Sequence, residues 1–520
     1  MDTLLHKFSD KIKGVIEGFD RIVFKGILKP LSYAVGMQKF LQSQGVLNKE
    51  YKDWVNQKTA VIVENAESYV LRQIGEVIQY MPSSNTRKET VAHEQQKKTG
   101  IESGLIGAWS CVESCNSFKA AFDKTAGYPQ IKADNTRCKH LYFYYDHEDY
   151  GFMSIRLQTW APFELQIALN GREWLKRQLD KSGIGYLLAG NKFLHIADYA
   201  KAQNLLKEQT ETRWIPMLTG FVPEVFPSMP VLLGEDISYT WTLWQSEWAR
   251  DYIFDDPQTV NQYMPHLLRY AFITGTSDRV LRYMGHPVRA NEQPHHAANP
   301  ELLSRVNLWY DGGRIRHWVG KNSVKFYNEQ NVLRFEFTMN DPAKFRIHRT
   351  TEGSGEEDKK FLPMRKGIAD ITPRTQISSS RINNFTEQIA TLEEDVTVEE
   401  ILAKVSKPLK SNGKHYRALD VTGKDLALLR AIADPKYNVD AITNKHLQTA
   451  LAGSLWANGL TDKRLSARIS RQLRLLREHG LIRKLPKQHK YMLSDKGRLL
   501  TTALNLFLGA KVSDLSNLAA

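Results

Sequence analysis

Residues 323–337 read SVKFYNEQNVLRFEF, and the period of two in that stretch decides the fold. Side chains alternate faces along a strand. Val324 and Phe326 share one face, and Ser323, Lys325 and Tyr327 the other. Asn328 to Asn331 supply turn chemistry, after which Leu333, Phe335 and Phe337 share a face opposite Arg334 and Glu336. A four-residue loop sets Lys325 across from Arg334 and Ser323 across from Glu336. The apolar sets then meet as well, Phe326 with Leu333 and Val324 with Phe335. Pattern and register agree on a β-hairpin, and RIRHWV from Arg314 extends it to a meander.

A second sheet signal lies at 139–169. KHLYFYY reads as a strand and DHEDYG as a turn; FMSIRLQTW sets Met153, Ile155 and Leu157 against Ser154, Arg156 and Gln158. FELQIAL points Leu165, Ile167 and Leu169 inward and Glu164 and Gln166 outward. NGREWLKRQLDKSG is then a helix, with Asn170 as N-cap, Glu173 resembling the partner in a capping box and Gly183 as its stop. Upstream, FDRIVFKGIL (19–28) is a strand with Ile22, Phe24 and Leu28 on one face and Asp20, Arg21 and Lys25 as its polar residues; helices follow at about 31–44 and 49–81. Residues 82–100 read as an exposed loop or surface helix, and 200–300, with WTLWQSEWARDYIF, as mainly helical and aromatic.

The expected class is therefore α+β: an antiparallel sheet core with helical layers, plus a C-terminal winged-helix domain. Residues 1–200 form the N-terminal α+β part of the core, 201–300 a helical segment, and 301–375 the meander that completes the sheet. Residues 376–415 are a linker and 416–520 the winged helix. Helices cover the apolar face, leaving Arg156, Gln158, Glu164, Gln166, Lys325, Arg334 and Glu336 on the polar one. Such a face suits a phosphate backbone and, through its carboxylates, a divalent metal; the competing reading is a solvated face with cross-strand ion pairs.

The chain has 520 residues, 42% of them hydrophobic, and a net charge of +14. A protein this basic commonly meets a polyanion, most often nucleic acid. Three cysteines make no disulfide framework and fit a reducing compartment. No run is apolar enough to span a membrane, and MDTLLHKFSDKIKG lacks a signal-peptide core, so a cytoplasmic protein is expected.

The C-terminal pattern is specific. Helices at GKDLALLRAIA and TNKHLQTAL precede DKRLSARISRQLRLLREHG, which places Leu465, Ile469, Leu473 and Leu476 at helical spacing. Its other faces carry Arg464, Arg468, Arg471, Arg474 and Arg477. LIRKLPKQHKYMLSD then reads as two short strands around a basic tip of Lys484, Lys487, His489 and Lys490, followed by a closing helix. Helices followed by a β-wing form a winged helix, and the helix–Gly–LIRK–basic tip–YMLSDKGR run resembles the winged helices of MarR-like regulators. The third helix would enter the major groove, with arginines at phosphates and base edges.

The whole chain resembles a family of bacterial proteins of roughly 450–520 residues. The resemblance rests on GFDRIVFKGIL, GLIGAWSCVESCNSF, GFMSIRLQTWAPFELQIALNGREWLKRQLDKSGIGY, RIRHWVGKNSVKFYNEQNVLRFEFTMNDP, RKGIAD and LRLLREHGLIRKLPKQHKYMLSDKGR. It implies a shared fold and, through the winged helix, a regulator-like part; it implies no activity. Locally, VKFYNEQNVLRFE resembles the Lys-x-Tyr-Asp/Asn-Lys…Leu-Arg-x-Glu hairpin of plasmid and phage replication initiators. Glu329 or Gln330 stands where those often have lysine, and no His-hydrophobe-His motif accompanies it.

A nicking or transposase-like enzyme needs acidic metal ligands and a tyrosine nucleophile or activated water. Asp20, Asp146, Glu164 and Glu336 are the candidate ligands for magnesium or manganese, Tyr327 the candidate nucleophile, Lys325 and Arg334 the catalytic cations beside them, and Arg156 a nucleic-acid contact. Cys111, Cys115, Cys138 and His140 form a Cys3His set that suits tetrahedral zinc. His286, Glu292, His295 and His296 have no regular spacing and read as a solvated loop. No Gly-Lys-Ser/Thr loop or dinucleotide fingerprint is present, which disfavours an ATPase or a dehydrogenase. The expected function is DNA processing for a mobile or replicating element. The alternative is a non-enzymatic winged-helix regulator or an RNA- or DNA-binding protein. Duplex DNA, RNA as an alternative, and a second copy of the chain are the expected partners, and a membrane is not.

Overall fold

The computed structural model describes residues 3–82, 87–275, 277–285, 302–309, 312–351, 355–389, 398–411, 413–434, 437, 441–485 and 488–509. Two compact units interleave along the chain. One comprises Met1–Lys13, Phe254–Asn331 and Ser380–Ala520, the other Gly14–Ile253 and Val332–Ser379. Mixed α+β architecture and a large, mostly antiparallel sheet are as expected.

The sheet of the second unit runs in the order 332–339, 239–254, 12–28, 165–170, 151–158, 128–147, 104–123, 79–80. The 79–80 strand pairs in parallel with 104–123. The neighbouring strands from 12–28 through 165–170, 151–158 and 128–147 to 104–123 pair antiparallel, with Ile155↔Ile167, Phe24↔Ile167 and Phe143↔Ile155 in register. Those four apolar side chains are fully buried. Helix 51–74 packs on the 104–123 strand, and Trp214 of helix 214–220 packs against Phe24 at 4.9 Å. The opposite, polar side carries Lys25, Gln166, Arg156 and Tyr142 in register across four strands.

Asn170 ends its strand and starts helix 171–181 as expected: its Oδ1 accepts the backbone N–H groups of Arg172 (2.8 Å) and Glu173 (3.1 Å). Gly171 follows because a Cβ there would lie 2.0 Å from the Phe19 carbonyl oxygen. Gly183 sits at φ 65° just past the helix.

Three expectations are corrected. WTLWQSEWARDYIF is not helical but most of a long strand, Tyr239–Phe254. Its aromatics suit a pleated surface, and from Trp248 onward both faces are buried, which hides the period of two. The 322–329 and 332–339 strands are joined by Gln330–Asn331, with Gln330 at φ 52°, and not by a four-residue loop. Two-residue hairpins favour positive φ, and the facing of Lys325 with Arg334 assumed the longer loop. Finally, every position of 332–339 is buried, so Arg334 and Glu336, each 1% exposed, are interior groups and not members of an open face.

In the first unit, strands 302–309, 312–319 and 322–329 pair consecutively antiparallel. The C-terminal part carries helices Leu426–Ile432, Asn444–Leu451, Asp462–Glu478 and Asp495–Gly509, with 482–484 paired antiparallel to 491–493. Leu465, Ile469, Leu473 and Leu476 lie in its core, as their spacing predicts. Residues 376–415 contribute to helix 371–389, helix 398–403 and a 409–411/414–416 ribbon. Among the described residues no helix is long and apolar enough to cross a membrane.

Candidate functional site

The second unit gathers an acidic group from three neighbouring strands. Asp20 comes from 12–28, Glu247 from 239–254 and Glu336 from 332–339. The register Glu336↔Ala249 and Thr338↔Glu247 makes the two glutamates diagonal neighbours. One carboxylate oxygen from each residue lies within 4.8 Å of the others. Oxygens around a magnesium ion, bound at about 2.1 Å, are separated by up to about 4.2 Å, so small side-chain adjustments bring these three into coordination range.

Arginines border the group. Arg334 donates to Asp20 Oδ1 (2.9 Å) from Nη1 and to Asp251 Oδ2 (2.8 Å) from Nη2, and Arg172 reaches the same Asp251 oxygen at 3.0 Å. Burial pushes the Asp251 carboxyl up, but Arg334 and Arg172 more than offset it and hold it below the usual carboxylate range. Charges so deep persist only when paired. The 186–189/192–196 ribbon closes over them: the Asn191 carbonyl accepts from Arg334 (3.1 Å), and its side-chain amide donates to Asp20 (2.6 Å).

Asp20 and Glu247 also line a cleft of about 290 Å³ with Arg21, His93, Phe152 and Asn191. His93 stacks on Phe152 with ring centroids 3.7 Å apart. The cleft gives a substrate access to two of the three carboxylates, whereas Glu336 approaches from the interior.

The remaining predicted ligands go elsewhere. Asp146 pairs with Arg177 and accepts from Gln96 (2.6 Å), tying two helices to the end of its strand, and it is not in the acidic group. Glu164 pairs with Lys25 at 2.6 Å. Arg156 pairs with Glu113 (3.1 Å) and donates to Gln166 (3.2 Å). Burial raises the Glu113 pKa, but the Tyr142 hydroxyl, Arg156 and Lys88 together bring it below the ordinary value. Lys325 and Tyr327 belong to the first unit, where the ammonium lies 5.4 Å from the tyrosine ring centre.

Of the predicted zinc set, the structure brings Cys115, Cys138 and His140 together and leaves Cys111 out. Cys111 is buried on the 104–123 strand opposite His140. The Cys115 and Cys138 sulfurs are 2.9 Å apart, within reach of a thiol–thiol hydrogen bond that lowers the pKa of Cys115. Burial and the charge of Arg156 push His140 down to about 4.

On the 462–478 helix, Arg464, Arg471 and Arg474 are exposed. Arg468 lies 4.4 Å from the Trp456 ring centre, and Arg474 donates to the Tyr416 hydroxyl at 3.2 Å. Lys484 and Lys490 are exposed on the ribbon; Lys487 lies outside the described residues, as do His286, Glu292, His295 and His296.

Sequence reasoning missed Glu247, Asp251 and Arg172. The first two hid in the stretch taken as helical, although their spacing from Ala249 is the period of two that a strand reading would have used. Comparison of the chain with known protein families, with curated proteins and with solved structures gives no match.

Proposed function

We propose that the protein cleaves or rejoins DNA strands at a divalent-metal site made by Asp20, Glu247 and Glu336, and grips duplex DNA through a C-terminal winged helix. One observation carries the reading: three carboxylates from three strands converge within 4.8 Å, two of them at the wall of a cleft. Carboxylate oxygens suit magnesium or manganese, which stabilise charge at a reacting phosphate and activate water. Arg21 lines the cleft as well, 3.6 Å from Glu89, and its guanidinium would meet a phosphate oxygen there on releasing that carboxylate. For the C-terminal part, the helix order, the two-stranded ribbon and the exposed Arg464 and Arg471 support a winged helix that meets phosphates and base edges.

Glu247→Gln tests the site, because this residue lies outside the Arg334–Asp251 pairing. Manganese-dependent cleavage of a labelled duplex and of a single strand should fall at least 100-fold, with duplex affinity unchanged. Undiminished cleavage removes Glu247 from the site, and a wild-type chain that binds DNA but never cleaves it supports the second reading. That reading is a non-cleaving DNA-binding protein, and it is favoured by the hydrogen bonds Asp20 already accepts from Arg334 and Asn191.

A further inference from the structure

The long 104–123 and 128–147 strands carry a second cluster that the acidic site does not use. Cys115 pairs with Thr136 and Cys138 with Glu113, so the cysteines are diagonal neighbours, and His140 follows Cys138 by two residues on the same strand. Their ligand atoms lie within 4.8 Å of one another, and the residues are 9%, 5% and 1% exposed.

We propose that Cys115, Cys138 and His140 bind one zinc ion, with Cys111 taking no part. Tetrahedral zinc holds two thiolates about 3.8 Å apart and a thiolate and an imidazole nitrogen about 3.5 Å apart. Here the sulfurs are 2.9 Å apart and a ring nitrogen of His140 lies within 4.8 Å of them, so small side-chain movements admit an ion. A second observation is independent of the spacing. His140 is buried, yet its Nε2 has no hydrogen-bond partner, while Nδ1 lies 3.2 Å from the Cys138 carbonyl oxygen. An imidazole whose Nδ1–H is held by a backbone carbonyl presents the Nε2 lone pair, the arrangement in which histidine ligates metals. Three protein ligands on one face of two neighbouring strands leave a fourth position for water.

The full chain, expressed with zinc in the medium and purified under reducing conditions without chelator, should carry about one zinc by elemental analysis. Cys115→Ser, Cys138→Ser and His140→Ala should each drop to near zero, and Cys111→Ser should keep its zinc. Because these variants remove buried groups, a second measurement uses the wild-type chain alone. Cobalt(II) added to metal-free protein should raise a near-ultraviolet thiolate-to-cobalt band that saturates at about one equivalent and is abolished by zinc. Absence of both zinc and the cobalt band overturns the proposal. So does zinc lost from Cys111→Ser but kept in Cys138→Ser, or a metal-free chain two hydrogens lighter because Cys115 and Cys138 have joined as a disulfide.

Discussion

Arg334 holds two carboxylates, and its exposure of 1% sets the scale of its contribution. Removing one partner of a buried ion pair costs about 3–5 kcal/mol, since the other charge is left uncompensated. Arg334→Ala should lower the unfolding free energy from urea titration by that amount, whereas Lys181→Ala, in an ion pair with Asp149 whose side chains are both nearly half exposed, should cost about 1 kcal/mol or less. Equal losses would place Arg334 outside the stabilising network. Glu336→Gln tests burial at the same site. An exposed glutamate would lose about 0–1 kcal/mol, and at 1% exposure the expected cost is larger, about 1–3 kcal/mol. His317 supplies a pH response. Burial pushes its imidazole from 6.5 down to about 4, so the unfolded chain binds the extra proton between those values. Its stability contribution is complete above pH 6.5 and is lost as the pH falls toward 4, on the order of 3 kcal/mol. His317→Gln should flatten the thermal-midpoint profile over that window; an unchanged profile would show that folding leaves the His317 pKa where it is in the unfolded chain.

Elements differ in how openly the sequence declares them. The 151–158 and 165–170 strands were legible because one face is apolar and the other polar, and helix 171–181 because Asn170 and Gly183 punctuate it. Asn170→Ala should cost about 1 kcal/mol through loss of the cap, and Asn170→Asp should retain it, both read from urea unfolding. Strand 239–254 was illegible for the opposite reason. With both faces buried its apolar run matches a buried helix as well as a strand, and Glu247 and Asp251 were hidden with it. In the acidic group, Asp20 and Glu336 were readable as carboxylates on strands. Their meeting depends on strand order, which sets 239–254 between 12–28 and 332–339 and which no local pattern encodes. Asp146 looked equivalent in sequence, but its strand 128–147 is separated from 12–28 by 165–170 and 151–158, and its carboxylate is tied to Arg177 and Gln96.

At the scale of the whole molecule, the net charge of +14 is the relevant quantity. If the C-terminal arginines and lysines meet phosphates, each contact displaces condensed counterions and the affinity falls as a power of salt concentration. Arg464→Ala with Arg471→Ala should reduce the slope of log affinity against log salt by roughly two, one per phosphate contact removed, measured by fluorescence anisotropy with a labelled duplex. Arg468→Ala is the poorer probe, because that guanidinium also stacks on Trp456 and its loss disturbs packing. A slope unchanged by the double substitution would move the DNA contact away from this helix.

The ion network that joins Asp20 to Arg334 spans 314 residues of sequence, with Arg172 and Asp251 between them. During synthesis the two aspartates leave the ribosome long before the arginine that neutralises them both. A nascent chain that stops short of residue 332 must therefore keep Asp20 hydrated and leave Asp251 to Arg172 alone, and the centre of its sheet cannot close fully around them. Assembly of the second unit is then a late event that waits for its last strand. Stalled nascent chains ending before residue 332 should be digested readily by protease across 12–28 and 239–254, and chains extending well past residue 379 should resist.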